Sequence, residues 1–117
     1  MNIVLVIWKI KKDKEDDFLL YWKGLSIKPE HKEGIFREFL SKVGEEEINT
    51  WDITSSGCFT YVNVGIWRSS SDFKIAIGDY MNSPTQTFEA KRRRRVVLEN
   101  VKMDRMGKYI PPPPSEP

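Results

Sequence analysis

The sequence predicts an α+β domain in which helices cover an antiparallel sheet, and three observations carry that expectation. Residues 2–10 and 58–67 alternate with period two and are rich in Val, Ile and aromatic side chains. Two other segments, Phe18-Tyr21-Trp22-Leu25 and Phe73-Ala76-Ile77-Tyr80, place apolar residues at i, i+3, i+4 and i+7, the stripe of an amphipathic helix. Strand and helix patterns alternate along 117 residues, the length of one domain.

The first strand, 2–10, has Ile3, Leu5 and Ile7 on one face and Val4, Val6 and Trp8 on the other. Both faces are apolar, so this strand belongs in the middle of a sheet with cover on both sides. Asp13 stands where a helix cap is expected, followed by Glu15, Asp16 and Asp17 in the first turn, where the helix dipole favours negative charge. Gly24 and Pro29 mark the end of that helix. Residues 34–43 fit strand and helix alike; short length and β-branched and aromatic content favour a strand. A polar connection, 44–57, has room for a short strand at 48–53. In the strand 58–67, Thr60, Val62, Val64 and Ile66 line an aliphatic face, and Phe59, Tyr61, Asn63, Gly65 and Trp67 the other.

Ser69 and Asp72 have capping-box spacing at the start of the second helix. Ser83, Pro84 and Gln86 signal a short third helix, which carries Phe88 and Ala90 and ends in the basic run 91–95. Residues 96–105 read as the last strand. The order β-α-β-β-α-(α)-β is that of the ferredoxin-like split β-α-β. Such a sheet carries both helices on one face. Here the opposite face is expected to hold one set of first-strand residues with Phe59, Tyr61 and Trp67. An uncovered apolar face of that size predicts a homodimer packed sheet to sheet.

Composition narrows the function. Nineteen Lys and Arg against 17 Asp and Glu leave a net charge of +2, so no global field draws the protein to nucleic acid or anionic lipid. The basic run 91–95 has no interleaved aromatics and reads as a solvated helix end. No segment has the apolar length of a membrane helix, and residues 1–10 lack a basic leader, so neither membrane nor signal peptide is expected. The single cysteine, Cys58, excludes an intramolecular disulfide and a Cys-rich zinc site and suits a reduced cytoplasm. His31 has no partner at readable spacing, and the carboxylates at 13, 16 and 17 are accounted for by helix-start chemistry, so no metal is expected. The domain is expected over 1–109 and a proline-rich tail over 110–117, whose prolines at 111–114 cannot join a helix or a central strand.

The segment Tyr61-Val62-Asn63-Val64-Gly65-Ile66-Trp67-Arg68-Ser69-Ser70-Ser71-Asp72-Phe73 resembles the antibiotic biosynthesis monooxygenase family, in which a strand (V/I)-N-x-x-x-W leads into a Ser-capped helix with an early aromatic residue. Gly34-Ile35-Phe36 and Phe88-Glu89-Ala90 also resemble that pattern, so the likeness spans about 2–106 and is densest over 59–73. The resemblance implies a dimeric α/β barrel and oxidation of a small hydrophobic or aromatic molecule with neither metal nor flavin. It makes Asn63 and Trp67 the candidate catalytic residues, orienting substrate and stabilising charge on an oxygenated intermediate. Phe59 and Tyr61 are the candidate substrate-binding wall. Each has a structural alternative: Trp67, Phe59 and Tyr61 fill a core, and Asn63 satisfies a neighbouring polar group. The departures are Arg68, where the family often has an acidic residue, and the absence of histidine from 88–92, where haem-degrading relatives carry a ligand. The alternative function is a non-catalytic small-ligand-binding or stress-response dimer of the same fold. A third reading is a regulatory module that meets a partner through the basic run or the tail.

Overall fold

A computed structural model describes residues 1–25, 27, 29–53, 57–78, 80–101 and 103. The elements are β1 (Asn2–Lys11), α1 (Glu15–Gly24), β2 (Ile35–Lys42), β3 (Cys58–Trp67), α2 (Ser70–Ala76) and β4 (Glu89–Glu99), with 3₁₀ turns at Lys12–Lys14 and Pro29–Gly34. The strands form one four-stranded antiparallel sheet in the order β2-β3-β1-β4. This α+β arrangement is compatible with a ferredoxin-like fold. None of its helices is long and apolar enough to cross a membrane, a statement that covers helices of the described residues only.

β1 is central, as its two apolar faces require. Val4, Val6, Trp8 and Ile10 point to the helix side and are buried there with Phe18 of α1 and Phe73 and Ala76 of α2. The aromatic face of β3 shares that side, because Trp8 pairs with Tyr61 and Val6 with Asn63. This corrects the expectation that Phe59, Tyr61 and Trp67 lie opposite the helices. The helices select the aromatic face because rings fill the gap between helix and sheet: Phe18 packs 5.1 Å from Trp8 and 5.0 Å from Tyr61, and Phe73 5.3 Å from Trp67. The aliphatic sets Ile3-Leu5-Ile7 and Val62-Val64-Ile66 form the other face and belong to no core cluster of the described residues.

Several local expectations are replaced. Asp13 does not cap α1: the helix starts without a side-chain cap, and the Glu15 carboxylate instead accepts hydrogen bonds from Lys42 and Tyr61. Residues 48–53 form a turn and coil rather than a strand, while the Ile53 carbonyl accepts from Thr60 Oγ1 at 3.3 Å. No third helix forms at Ser83. The Glu89 carboxylate takes the Gln86 amide at 2.7 Å and the Arg93 amide at 3.1 Å, which opens β4 at Glu89 and draws the basic run 91–95 into the sheet beside β1. The last strand therefore runs ahead of the expected 96–105 and stops at Glu99; residues 104 and 105 and the tail 110–117 lie outside the described residues.

The cap of α2 forms as the spacing predicts: Ser69 Oγ accepts from the Asp72 amide at 3.1 Å. The Arg68 guanidinium and the Ser69 hydroxyl donate to Asp72 and hold its carboxyl down to about 2. A Cβ on Gly34 would meet Asp72 Cβ at 2.5 Å, so only glycine lets the turn before β2 approach the start of α2.

Candidate functional site

Two short helices cannot cover a four-stranded sheet completely, and the gap they leave is the pocket. It is a cavity of about 90 Å³ between α1, α2 and the sheet, with Val6 and Trp8 at its base and Tyr21, Trp22, Phe73 and Ile77 on its apolar walls. One amide and three charged side chains reach it, Asn63 from β3, Glu38 from β2, and Arg93 and Arg95 from β4, along with the phenols of Tyr21 and Tyr80. The sheet register explains the convergence of the strand residues. Leu40, Asn63, Val6 and Arg95 form one row across the four strands, with Glu38 one step along β2 beside Gly65.

Asn63 is nearly buried, and both ends of its amide are engaged. Its Oδ1 accepts from Trp22 Nε1 at 2.9 Å, and its Nδ2 donates to Glu38 Oε2 at 3.3 Å. These bonds fix the amide orientation, since the indole only donates and the ionised carboxylate only accepts. Much of the Glu38 residue is open to solvent, but its carboxylate turns inward. Burial pushes the Glu38 carboxyl up, and the Asn63 hydrogen bond pulls it partly back.

The two arginines differ. Arg93 is spent on structure: it donates to Glu89 Oε2 at 2.8 Å and to the Ser83 carbonyl at 2.7 Å, and its guanidinium stands 5.3 Å from the Trp8 ring centre. Arg95 has no carboxylate partner among the described residues; its guanidinium lies 5.9 Å from the Phe73 ring centre. Burial and the neighbouring Arg93 and Arg92 push its pKa down.

The four residues expected on one site are spread along β3. Asn63 lines the pocket. Trp67 lies beyond it, with no exposed surface, edge-on to Phe73. Tyr61 packs on Phe18 and donates its hydroxyl to Glu15; burial and that carboxylate push the phenol pKa well up. Phe59 lies under the Lys42 ammonium, 3.7 Å from the ring centre, beside a separate open groove that also includes Lys12. His31 sits in the 3₁₀ turn before β2 and does not line the pocket. Cys58 is buried at the start of β3.

Trp22, Glu38 and Arg95 were not singled out by the sequence patterns. Trp22 was visible as part of the α1 stripe, but its indole N–H gave no sign of its partner. Glu38 was legible only as one of several polar residues in β2, beside Arg37. Arg95 was hidden by reading 91–95 as a helix end. In a strand, that run sends alternate residues to opposite faces.

No protein-family model and no curated protein matches this chain.

Proposed function

We propose that this protein binds a small, single-ring aromatic molecule in the pocket beneath α1 and α2 and oxidises it with molecular oxygen. The observation that carries the proposal is the Glu38–Asn63 pair: a carboxylate with a raised pKa and an oriented amide at 3.3 Å, facing an apolar cavity. The oxygenase chemistry comes from the family resemblance at 59–73.

In this reading a phenol lies against Trp8 and Trp22. Glu38 takes the hydroxyl proton, and Asn63 keeps the resulting phenolate oriented. The phenolate passes an electron to oxygen, and the resulting radical pair joins through a new C–O bond at the free para carbon. Loss of water leaves the quinone, so phenol plus O₂ gives quinone plus water. Trp67, as a positioning residue, acts through Phe73, which lines the pocket. Tyr61 and Phe59 support the base of α1 and the start of β3 rather than touching this ligand. The wider proposal is a homodimer of ferredoxin-like subunits, closed as an α/β barrel through the aliphatic sheet face, working in the reducing cytoplasm.

A second reading, binding without turnover, is favoured by size. The cavity is about 90 Å³, whereas an apolar cavity that admits benzene is roughly 150 Å³. A ring enters only when side chains yield, which leaves little room for oxygen beside it. Titrating the protein with phenol and 3-methylphenol, both with a free para carbon, while following Trp fluorescence and dissolved oxygen together, separates the readings. Binding with oxygen uptake that Glu38→Gln reduces by about 100-fold or more supports the oxygenase. Binding without uptake assigns the second reading, and no binding by either probe overturns both.

A further inference from the structure

We infer that the pocket selects an aromatic carboxylate, with Arg95 as the anchor for its anionic group. This inference rests on the small-molecule reading and adds the ligand's charge and direction. Its basis is the contrast between two neighbouring arginines on one pocket wall. Arg93 is matched: its side chain is only 6% exposed and paired with a Glu89 side chain that is 0% exposed. Arg95 lines the same cavity, with a ring face as its contact and no ion pair to a carboxylate among the described residues. The carboxylate of Glu38 enters from the other edge of the sheet and is already engaged by Asn63.

Arg95 is exposed as a residue while its side chain reaches the pocket wall, so its guanidinium is open to an incoming ligand rather than tied into the protein. Its planar fork suits a carboxylate, which it can hold through two parallel hydrogen bonds. Arg92 adds positive charge near it, whereas the charge of Arg93 is offset by Glu89, and the excess favours an anion as occupant over a cation.

The register sets the ligand's length and direction. Asn63 and Arg95 both pair with Val6, so their backbones stand two strand spacings apart, about 10 Å, with a short side chain between them. One benzene ring lying over Val6, with a hydroxyl toward Asn63 and Glu38 and a carboxylate toward Arg95, spans that gap once the side chains reach in from both ends. The aromatic walls Trp8, Trp22 and Phe73 supply its faces. A neutral phenol would satisfy the Asn63 end alone.

The test compares 3-hydroxybenzoate with phenol by calorimetric titration of the wild type, Arg95→Gln and Arg95→Lys. The wild type is expected to bind 3-hydroxybenzoate about tenfold more tightly than phenol, the scale of one charge-assisted contact. Arg95→Gln removes most of that preference, and Arg95→Lys keeps part of it, which separates loss of the charge from damage to the pocket. Equal affinity for the two probes in the wild type, or a preference that survives Arg95→Gln, overturns this inference and leaves the pocket reading standing. Failure of both probes to bind the wild type overturns the two together.

Discussion

The indole Nε1 of Trp67 stands 2.6 Å from the point that a Cβ on Gly65 would occupy. Both residues lie on the helix side of β3, and the tryptophan folds back over the glycine. The missing side chain is therefore explained by a neighbouring ring rather than by a ligand. Trp67 has no exposed surface and packs on Phe73, so it cannot yield cheaply. Gly65→Ala is expected to destabilise the fold by about 1–3 kcal/mol, the range for overpacking a dense interior. In a Trp67→Phe background the same substitution costs less, because the conflicting nitrogen is gone. Urea unfolding of the two single variants and the double variant measures that coupling.

Glu89 and Arg93 form the most buried ion pair among the described residues, and it opens β4 where a helix had been expected. Glu89 also accepts the amides of Gln86 and Arg93. Removing the acid leaves a guanidinium at the pocket wall without its counter-charge. Glu89→Ala is therefore expected to cost about 3–5 kcal/mol. Replacing both residues by methionine should cost less than Glu89→Ala alone, because neither partner then remains charged and unmatched. Denaturant midpoints at neutral pH provide the comparison.

The strand alternations, the two helix stripes and the Ser69 cap were readable because each depends on neighbours within one turn or one pleat. The two-sided burial of β1 was readable for the same reason. Which face of β3 meets the helices was not, since both faces are apolar and only the ring contacts of Phe18 and Phe73 decide it. At Ser83, a valid local helix signal lost to Glu89, whose carboxylate satisfies the backbone amides of Gln86 and Arg93 instead. The pocket was half legible. Asn63 came from a short motif, while Glu38 and Arg95 reach it through pairings between β2 and β3 and between β1 and β4, which are long-range and leave no mark in local spacing.

The Glu38 carboxyl gives a pH signature. Burial raises its folded-state pKa above the ordinary 4.5, so the folded protein holds the proton more tightly than the unfolded chain does. Its contribution to stability is full below about pH 4.5 and is lost as pH rises through the raised folded value. Glu38→Gln should flatten this part of the stability profile and be more stable than the wild type at neutral pH. Thermal midpoints of both proteins from pH 4 to pH 8, as an approximate range, reveal the difference. Parallel curves would assign the slope to other groups.

The aliphatic sheet face supplies the last prediction. Phe39, Val64, Leu5 and Val96 form one apolar row across all four strands, flanked by the row of Ile66, Ile3 and Leu98. Val96 and Leu98 are 44% and 42% exposed in the single chain, far more than a strand needs for its own fold. If two copies cover one another here, a lysine at Val64 would sit at the centre of the interface in both and meet its own copy across it. Like charges in that position cost several kcal/mol, so Val64→Lys should weaken association by about 100-fold or more. The exposed face of α1 offers the control: Leu20 is 72% exposed on the opposite side of the molecule, and Leu20→Lys should leave the assembled mass unchanged. Sedimentation equilibrium at micromolar concentration distinguishes the outcomes. A wild-type protein that sediments as a single chain would remove the barrel from the proposal while leaving the pocket, which is built within one chain, untouched.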